Sequence, residues 1–232
     1  MSDARRASPA LRLHLGLVYV FLYAPIAVLM VLSFNRGSMP TAWTGFSFTW
    51  YAKLVHSPEI ISSTVNTLIV AVSSTFIATV LGTLLALGVE RRRASSGLDA
   101  LLFAPMIIPD IVLAIALLSF FTMLEFTLGL HSIILSHAVF NIAFVCAVVR
   151  TRLRHFDHSI VEASIDLGAS EFTTFRRITL PVIFPGVLAG ALLAFPLSVD
   201  EFIIAYFPSG ADPSSTPLPI RLYSFIHFRD TP

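Results

Sequence analysis

Charged side chains are scarce in this sequence. Of its 232 residues only 12% are Asp, Glu, Lys or Arg, and 56% are hydrophobic. Soluble domains carry about 25% charged residues, so this chain has too few to cover a water-exposed surface. The shortage excludes a soluble globular protein and predicts that lipid is the solvent for most of the chain.

Cysteine and lysine are nearly absent as well. The one cysteine, Cys146, lies in an apolar run and has no second thiol for a disulfide or a thiolate metal site. We interpret it as a small buried hydrophobic residue. The one lysine, Lys53, does not belong to a G-x-x-x-x-G-K-S/T loop, so the sequence holds no phosphate-binding loop of that kind. The histidines are scattered, and we interpret them as surface or interface residues.

Long apolar runs are abundant. A bilayer core needs about 20 apolar residues to be crossed by a helix, and inside lipid the backbone must pair within the segment, as it does in a helix. The runs that meet this length are residues 13–34, 63–89, 101–124, 132–149 and 182–207. The first run exceeds the ~7–15 apolar residues of a signal peptide, so we predict a retained span.

Arginine placement predicts the orientation of these spans, because cytoplasmic connections are enriched in Lys and Arg. The clustered arginines are Arg5, Arg6, Arg12, Arg91, Arg92, Arg93, Arg150, Arg152, Arg154, Arg176 and Arg177. They place residues 1–12 and the connection 151–180 in the cytoplasm, around a transmembrane domain of residues 13–207. Residues 208–232 are then expected to face outward.

The first outward connection, residues 35–62, contains Trp43, Trp50 and Tyr51. Aromatic rings of this kind collect at the level of the lipid headgroups. We predict an amphipathic segment lying on the outer surface. A contact with a substrate is the alternative.

Small residues recur every fourth position in two of the predicted spans. They are Ser74, Ala78, Gly82 and Ala86 in the second span, and Gly186, Gly190, Ala194 and Ser198 in the fifth. Small residues at this spacing let helix backbones approach closely in lipid. The two stripes therefore predict a packed helix bundle.

The cytoplasmic connection contains the signals of a helix that ends at a glycine. Ser159 followed by Glu162 forms a capping box that starts a helix over residues 160–167. Gly168 then lies where a left-handed residue commonly ends a helix.

A second short helix is predicted to follow this glycine. Ser170 is its cap, and we expect Pro181 to end it before the fifth span. The resulting elbow leaves Phe172 and Phe175 without local cover. An exposed apolar helix of this kind favours a partner with a groove, and an elbow resting on the lipid surface is the alternative.

The elbow resembles the EAA motif in the permeases of ATP-binding-cassette (ABC) importers. That motif has Glu-Ala-Ala, three residues, Gly, nine residues and Ile-x-Leu-Pro, and only Ser164 departs from it here. The resemblance implies a coupling helix that docks into a cleft on a separate ATPase subunit. With the two phenylalanines, the coupling residues are Glu162, Ala163, Ser164, Gly168, Phe172, Phe175, Ile178, Leu180 and Pro181.

Over nearly its whole length the chain resembles permease subunits of the spermidine/putrescine type. The segments that carry the resemblance are residues 45–51, 105–110 and 198–202. They imply an all-α transmembrane helix bundle of the type I ABC-importer permease kind. That family has six spans, of which five are visible here and the sixth is missing.

Three carboxylates in the apolar spans point to a cationic solute. A charge inside a bilayer costs at least ~2.5–3.5 kcal/mol, so such residues require an explanation. Asp110 follows the helix-breaking Pro109, and Asp200 and Glu201 lie towards the outer end of the fifth span. We predict that these acids line the substrate path and that Tyr206 adds a cation–π contact. The alternatives are hydrogen bonds to neighbouring helices, headgroup contacts and, for Tyr206, a place in the aromatic belt.

These features favour a non-enzymatic permease subunit of an ABC importer for a polyamine. The alternatives are an ABC permease for an iron chelate, thiamine or a sulfate-like solute, and a carrier or scaffold outside the ABC class. The acids disfavour a free anion, and a carrier would not need the elbow. The expected partners are an ABC ATPase dimer, a second related permease subunit and a periplasmic or extracellular solute-binding protein, at the bacterial inner membrane. No cofactor is expected in this chain, since ATP and Mg would bind to the ATPase.

Overall fold

The computed structural model describes residues 9–37, 42–92, 96–157 and 159–228. These residues form helices and one isolated β-bridge, between Asn35 and Phe46, which confirms the all-α fold class. The helices are α1 (Pro9–Leu32), α2 (Thr49–His56), α3 (Pro58–Arg92), α4 (Ser96–Ile107), α5 (Asp110–Met123), α6 (Leu130–Leu153), α7 (Ser159–Asp166), α8 (Glu171–Thr174), α9 (Leu180–Asp200), α10 (Ile203–Tyr206) and α11 (Leu218–Phe228). The predicted topogenic residues Arg5, Arg6 and Arg93, and residues 229–232 of the C-terminal segment, lie outside the described residues.

Four helical segments in the described part of the chain are long and apolar enough to cross a membrane, and one bent pair raises this number to five. The predicted spans 13–34, 63–89 and 132–149 correspond to α1, α3 and α6. Helix α3 is longer than its predicted span at both ends, and α6 is as well. Helix boundaries extend beyond the apolar run because polar residues at an interface still form helical hydrogen bonds.

The predicted third span, 101–124, is not one straight helix. It consists of α4 and α5, which are bent by 104° at the break between them. Pro109 lies in this break with an extended ψ of 134°, and it has no N–H with which to continue α4. The break makes Asp110 the first residue of α5.

The predicted fifth span, 182–207, also needs correction at both ends. Its long helix stops at Asp200, because Glu201 is extended with a ψ of 114°. The short α10 follows. At the other end Pro181 does not separate the elbow from the span, because Glu171–Asp200 forms one continuous apolar helical segment.

A π turn makes this continuity possible. The turn, Phe175–Thr179, joins α8 to α9, and the Leu180 N–H donates to the Phe175 carbonyl five residues earlier. Pro181 has no N–H and its ring crowds the preceding turn. A wider π turn is one of the ways in which a helix accommodates such a residue.

Two compact units divide between Ile61 and Ser62. In the first unit the buried Asn35 accepts from the Thr44 N–H at 2.8 Å and donates to the Ala42 carbonyl at 2.7 Å. The Trp50 indole donates to the Asn35 carbonyl at 2.9 Å. Asn35 therefore ties the segment after α1 to α2. Helix α2 holds Trp50 and Tyr51, two of the three aromatic residues predicted to lie on the outer surface.

In the second unit α6 is the central helix, and both small-residue stripes face it. A Cβ on Gly82 of α3 would lie 2.9 Å from the Val145 Cβ, and one on Gly190 of α9 would lie 3.2 Å from the Val145 Cγ1. Ala78, Ala194 and Cys146 are fully buried in the same cluster. The predicted close packing is confirmed, and so is the burial of Cys146.

The C-terminal helix α11 closes the end of the second unit near the start of α3. Ile220 packs with Val70, Ile133 and Ala205. The Leu218 N–H donates to the Thr67 hydroxyl at 2.8 Å. These contacts anchor α11 to α3, α6 and α10 at once.

Candidate functional site: a coupling elbow and an acidic helix break

The elbow has the predicted order of helix, glycine and helix. Gly168 follows α7 with a φ of +85°, in the left-handed region. The Ser170 hydroxyl accepts from the Thr173 N–H at 3.3 Å and caps α8 as predicted. At the start of α7 the Ser159 N–H donates to Asp157 Oδ1 at 3.0 Å. Helix α7 runs from Ser159 to Asp166, so it begins and ends one residue earlier than predicted, and Ser159 is its first residue where a cap was predicted.

One hydrogen bond joins the two arms of the elbow. The Ser164 hydroxyl on α7 lies 2.9 Å from the Thr174 hydroxyl at the end of α8. Thr174 is 3% exposed, so its hydroxyl has little access to water. Ser164 is the residue that departs from the EAA pattern. Its hydroxyl, which the alanine of the pattern lacks, makes this bond.

The fold of the elbow brings the separated parts of the motif together. Ala163, Ser164 and Ile178 line one open groove of about 410 Å³. Glu162 and Gly168 are exposed beside it. The groove therefore presents motif residues to whatever docks there.

The phenylalanines and the final motif residues lie in different surroundings. Phe172 is 71% exposed, as predicted, while Phe175 is half-buried. Leu180 is half-buried and Pro181 is exposed, both at the beginning of α9. The most exposed apolar side chain of the elbow is Leu167, at 89%, which the sequence analysis did not single out as a coupling residue.

Arg150 has a structural role that the sequence analysis missed. Its guanidinium donates to both carboxylate oxygens of Asp99, at 2.8 and 3.3 Å, and its Nε lies 3.9 Å from Glu90. Arg150 is 7% exposed, and a two-point pair of this kind fixes orientation as well as charge. It ties α4 to α6. The only signal in the sequence was an arginine near the end of one apolar helix, together with an acid, Asp99, at the start of another.

Two of the three predicted carboxylates, Asp200 and Glu201, lie at the break after α9, and the third, Asp110, begins α5. Glu201 interacts electrostatically with both Asp110 and Asp200. The Glu201 carboxylate also accepts from the Ile204 N–H at 3.0 Å and so caps α10. Glu201 and Asp110 are half-buried, while Asp200 is exposed.

Packing of α10 against α5 brings Asp110 near Glu201. Ile204 is fully buried against Ala114 of α5 and Phe140 of α6. The contact places the start of α10 beside the start of α5. Like charges held together in low-dielectric surroundings repel one another, and a bound cation relieves the repulsion.

Tyr206 belongs to an aromatic cluster beside the acids. Its ring centroid lies 5.4 Å from that of Phe202 and 6.2 Å from that of Tyr223. His227 stacks on Tyr223 at 3.9 Å. Phe202, Tyr223 and His227 were not among the predicted site residues, although the spacing of four residues within the pairs Phe202–Tyr206 and Tyr223–His227 was a usable signal.

A buried polar chain links α3, α6 and α9. The Ser198 hydroxyl lies 2.8 Å from His137 Nδ1 and 3.0 Å from the Ser74 hydroxyl. His137 is 2% exposed, so the interpretation of the histidines as surface or interface residues is wrong for it. Its ring is accommodated because both stripes place a serine at the same level of the bundle.

Comparison with known proteins decides the family. The sequence model described as "Binding-protein-dependent transport system inner membrane component" matches residues 78–227. The chain belongs to this family. It is a transport permease subunit and a multi-pass protein of the inner membrane.

Individual relatives of this permease subunit are similar over most of the chain. The spermidine/putrescine transport system permease protein PotC of Escherichia coli strain K12 is 40% identical over 211 residues, which cover 90% of this chain and 79% of the relative. PotC of Haemophilus influenzae is 36% identical over 217 residues, covering 93% and 84%. The putrescine transport system permease protein PotI of Escherichia coli strain K12 is 37% identical, covering 92% and 79%.

The fold has a counterpart among solved structures. A chain of a bacterial ABC transporter involved in the import of the acidic polysaccharide alginate aligns with a TM-score of 0.74 at 15% identity. The alignment covers 95% of this permease subunit and 80% of that chain. At this identity the likeness shows the fold alone.

Proposed function

We propose that this permease subunit forms part of the translocation path of an ABC importer for a polyamine of the spermidine/putrescine class. The observation that carries the proposal is the packing of α10 against α5, which brings Asp110 to the helix break that holds Asp200 and Glu201. Three carboxylates beside aromatic rings suit ammonium groups spaced along an alkyl chain. The names of the similar PotC and PotI proteins support the same solute.

The acids act as a weak, repeated attraction along the path. Each ammonium group loses hydration as it enters, and a carboxylate offsets part of that loss. Conduction requires sites that release the ion as readily as they take it up. The exposed Asp200 receives the cation first, and the half-buried Glu201 and Asp110 receive it next. Tyr206 contacts the cation with its ring face.

Energy for transport enters through the elbow. In this proposal residues 1–12 and the elbow lie in the cytoplasm, where Glu162, Ala163 and Gly168 dock into a cleft on a separate ATPase subunit. ATP and Mg bind to that partner and not to this chain. The continuous segment Glu171–Asp200 runs from the elbow to Asp200, so a displacement of the elbow reaches the acids through one helical segment.

The complete importer in this proposal has three further components. They are an ABC ATPase dimer, a second related permease subunit and an extracytoplasmic solute-binding protein. The binding protein selects the solute, and the two permease subunits enclose the path.

Uptake by the reconstituted complex tests the proposal. Liposomes that contain all components should accumulate labelled spermidine with internal ATP, and excess putrescine should compete. An ATPase partner without its phosphate-loop lysine should abolish uptake. Uptake that persists with this partner would indicate a carrier. Competition by thiamine, sulfate or an iron chelate, and not by putrescine, would indicate another solute.

A further inference from the structure

Helix α7 presents an acidic face and a separate apolar face. Glu162 and Asp166 are exposed and lie four residues apart, so they share one side of the helix. Ile160 and Leu167 belong to the face that lines the open groove of the elbow, about 410 Å³ in volume. Their side chains are 46% and 89% exposed. The groove therefore offers apolar surface that nothing within the described elbow covers.

Arg177 adds a charge to this groove. It belongs to the π turn Phe175–Thr179 and lines the groove beside Ile178. It is exposed, and within the described residues no carboxylate pairs with it. Among the described lining residues it is the one that carries a charge. The groove is therefore complementary to an apolar segment that carries a carboxylate.

The neighbouring Arg176 shows that membrane topology alone does not explain this arrangement. Both arginines are exposed, and both lie in the same π turn. Each adds the same positive charge to the connection that is predicted to be cytoplasmic, so topology accounts for the two equally. Only Arg177 is among the described residues that line the groove. The fold thus distinguishes two arginines that the sequence does not.

We propose that the groove receives a segment of the ATPase subunit in which an Asp or Glu is flanked by apolar side chains. The carboxylate pairs with the Arg177 guanidinium, and the apolar side chains pack on Ile160 and Leu167. The groove is continuous with the docking surface of the proposed function, because Ala163 and Ile178 also line it. The inference rests on that docking and names the chemistry of the contact. It makes Leu167 and Arg177 docking residues in addition to those of the EAA motif.

Charge substitutions at the two arginines test this inference. The yield of the ATPase subunit that co-purifies with the permease is measured at low salt. Arg177→Glu reverses the charge in the groove, Arg177→Lys keeps it, and Arg176→Glu is the matched control in the same turn. We expect the yield to fall roughly tenfold for Arg177→Glu and to stay near the wild-type value for the other two variants.

Two results would overturn the inference in this experiment. One is an equal loss of the ATPase from Arg176→Glu and Arg177→Glu, and the other is no loss from Arg177→Glu. If Arg177→Glu does not reach the membrane, Arg177→Gln decides. Its yield should be several-fold lower than that of the wild type at low salt, and the difference should narrow at high salt because screening weakens the ion pair. An unchanged yield for Arg177→Gln would then overturn the inference.

Cross-linking identifies the occupant of the groove. Cys146 is fully buried, so Leu167→Cys supplies the accessible thiol of this chain for a photoreactive maleimide. Irradiation of the complete complex should join the probe to an ATPase peptide with an Asp or Glu beside the attachment site. Substitution of that acid by Lys should restore the ATPase yield of Arg177→Glu. Attachment to phospholipid, to the other permease subunit or to nothing would overturn the inference.

These docking measurements do not depend on the transported solute. If the variants behave as expected and the complex does not transport spermidine, the solute of the proposed function is wrong and this inference stands. If the ATPase co-purifies equally with every variant and spermidine uptake is normal, this inference fails and the proposed function stands.

Discussion

The Ser164 hydroxyl lies 2.9 Å from the Thr174 hydroxyl, and this bond joins α7 to α8. The two residues lie on opposite sides of Gly168 in the sequence, so the bond connects the two helices that meet at this glycine. An alanine at position 164, as in the motif, has no hydroxyl for it. The elbow of this chain is therefore held by a contact that the family pattern does not require.

Ser164→Ala should loosen the elbow without abolishing docking. It leaves the buried Thr174 hydroxyl without this partner, which costs about 1–3 kcal/mol. Thr174→Val removes both the hydroxyl and the need for a partner. The amides of α7 should exchange hydrogen faster in Ser164→Ala. In the double variant with Thr174→Val, the increase in exchange should be smaller than the sum of the increases in the two single variants. Additive effects would show that the bond does not stabilise the elbow.

Gly168→Ala should weaken coupling through the backbone alone. The left-handed conformation costs a residue with a side chain roughly 1–2 kcal/mol, and a Cβ there would meet nothing within 4 Å. Gly97→Ala is the control, because a Cβ at Gly97 also has open space and the backbone there is not in the left-handed region. Uptake and co-purification of the ATPase should fall for the first variant and not for the second.

Charge at the same position separates docking from conformation. Asn and Asp both tolerate the left-handed region, so Gly168→Asn and Gly168→Asp differ mainly in charge. We expect Gly168→Asp to lose the ATPase to a greater extent, measured as its yield in co-purification. Equal yields for the two variants would count against a docking surface at Gly168.

Glu201 combines a charge with a cap, and two substitutions separate these roles. Glu201→Gln keeps an oxygen for the Ile204 N–H and removes the charge, so assembly should persist while spermidine uptake falls about tenfold or more. Glu201→Ala loses the cap too, at a further cost of about 1 kcal/mol in α10 stability. Glu125→Gln, an acid beyond the other end of α5, is the control. Unchanged uptake in Glu201→Gln would remove this carboxylate from the path.

Two glycines of α3 should respond differently to alanine. Gly82→Ala forces a Cβ to within 3.0 Å of the Ile142 carbonyl oxygen, and overpacking of this kind costs about 1–3 kcal/mol. Gly88→Ala meets no neighbour and should be neutral or slightly stabilising. The melting temperatures of the purified complexes measure the difference. A lower value for Gly88→Ala than for Gly82→Ala would contradict the packing of α3 on α6.

The elbow was more predictable than the acidic site. Gly168, Ser170 and their neighbours signal a turn and a cap within a few residues, and the structure has both. Pro181 was misread as a helix end because the π turn before it depends on the geometry of the whole segment Glu171–Asp200. The resemblance predicted which residues take part in coupling. It did not predict the groove that Ala163 and Ile178 line together, because that groove forms only when the elbow folds.

By itself the sequence determined the membrane setting, the helical class and the positions of the two small-residue stripes. Each of these depends on composition or on spacing within one segment, and lipid permits few other solutions. Only the tertiary structure decided that both stripes face α6, that Ser74 meets Ser198 across 124 residues of chain, and that Asp110 lies near Glu201. Those contacts join separate helices, and their pairing follows from how side chains of all the helices fill space together, which no local pattern encodes.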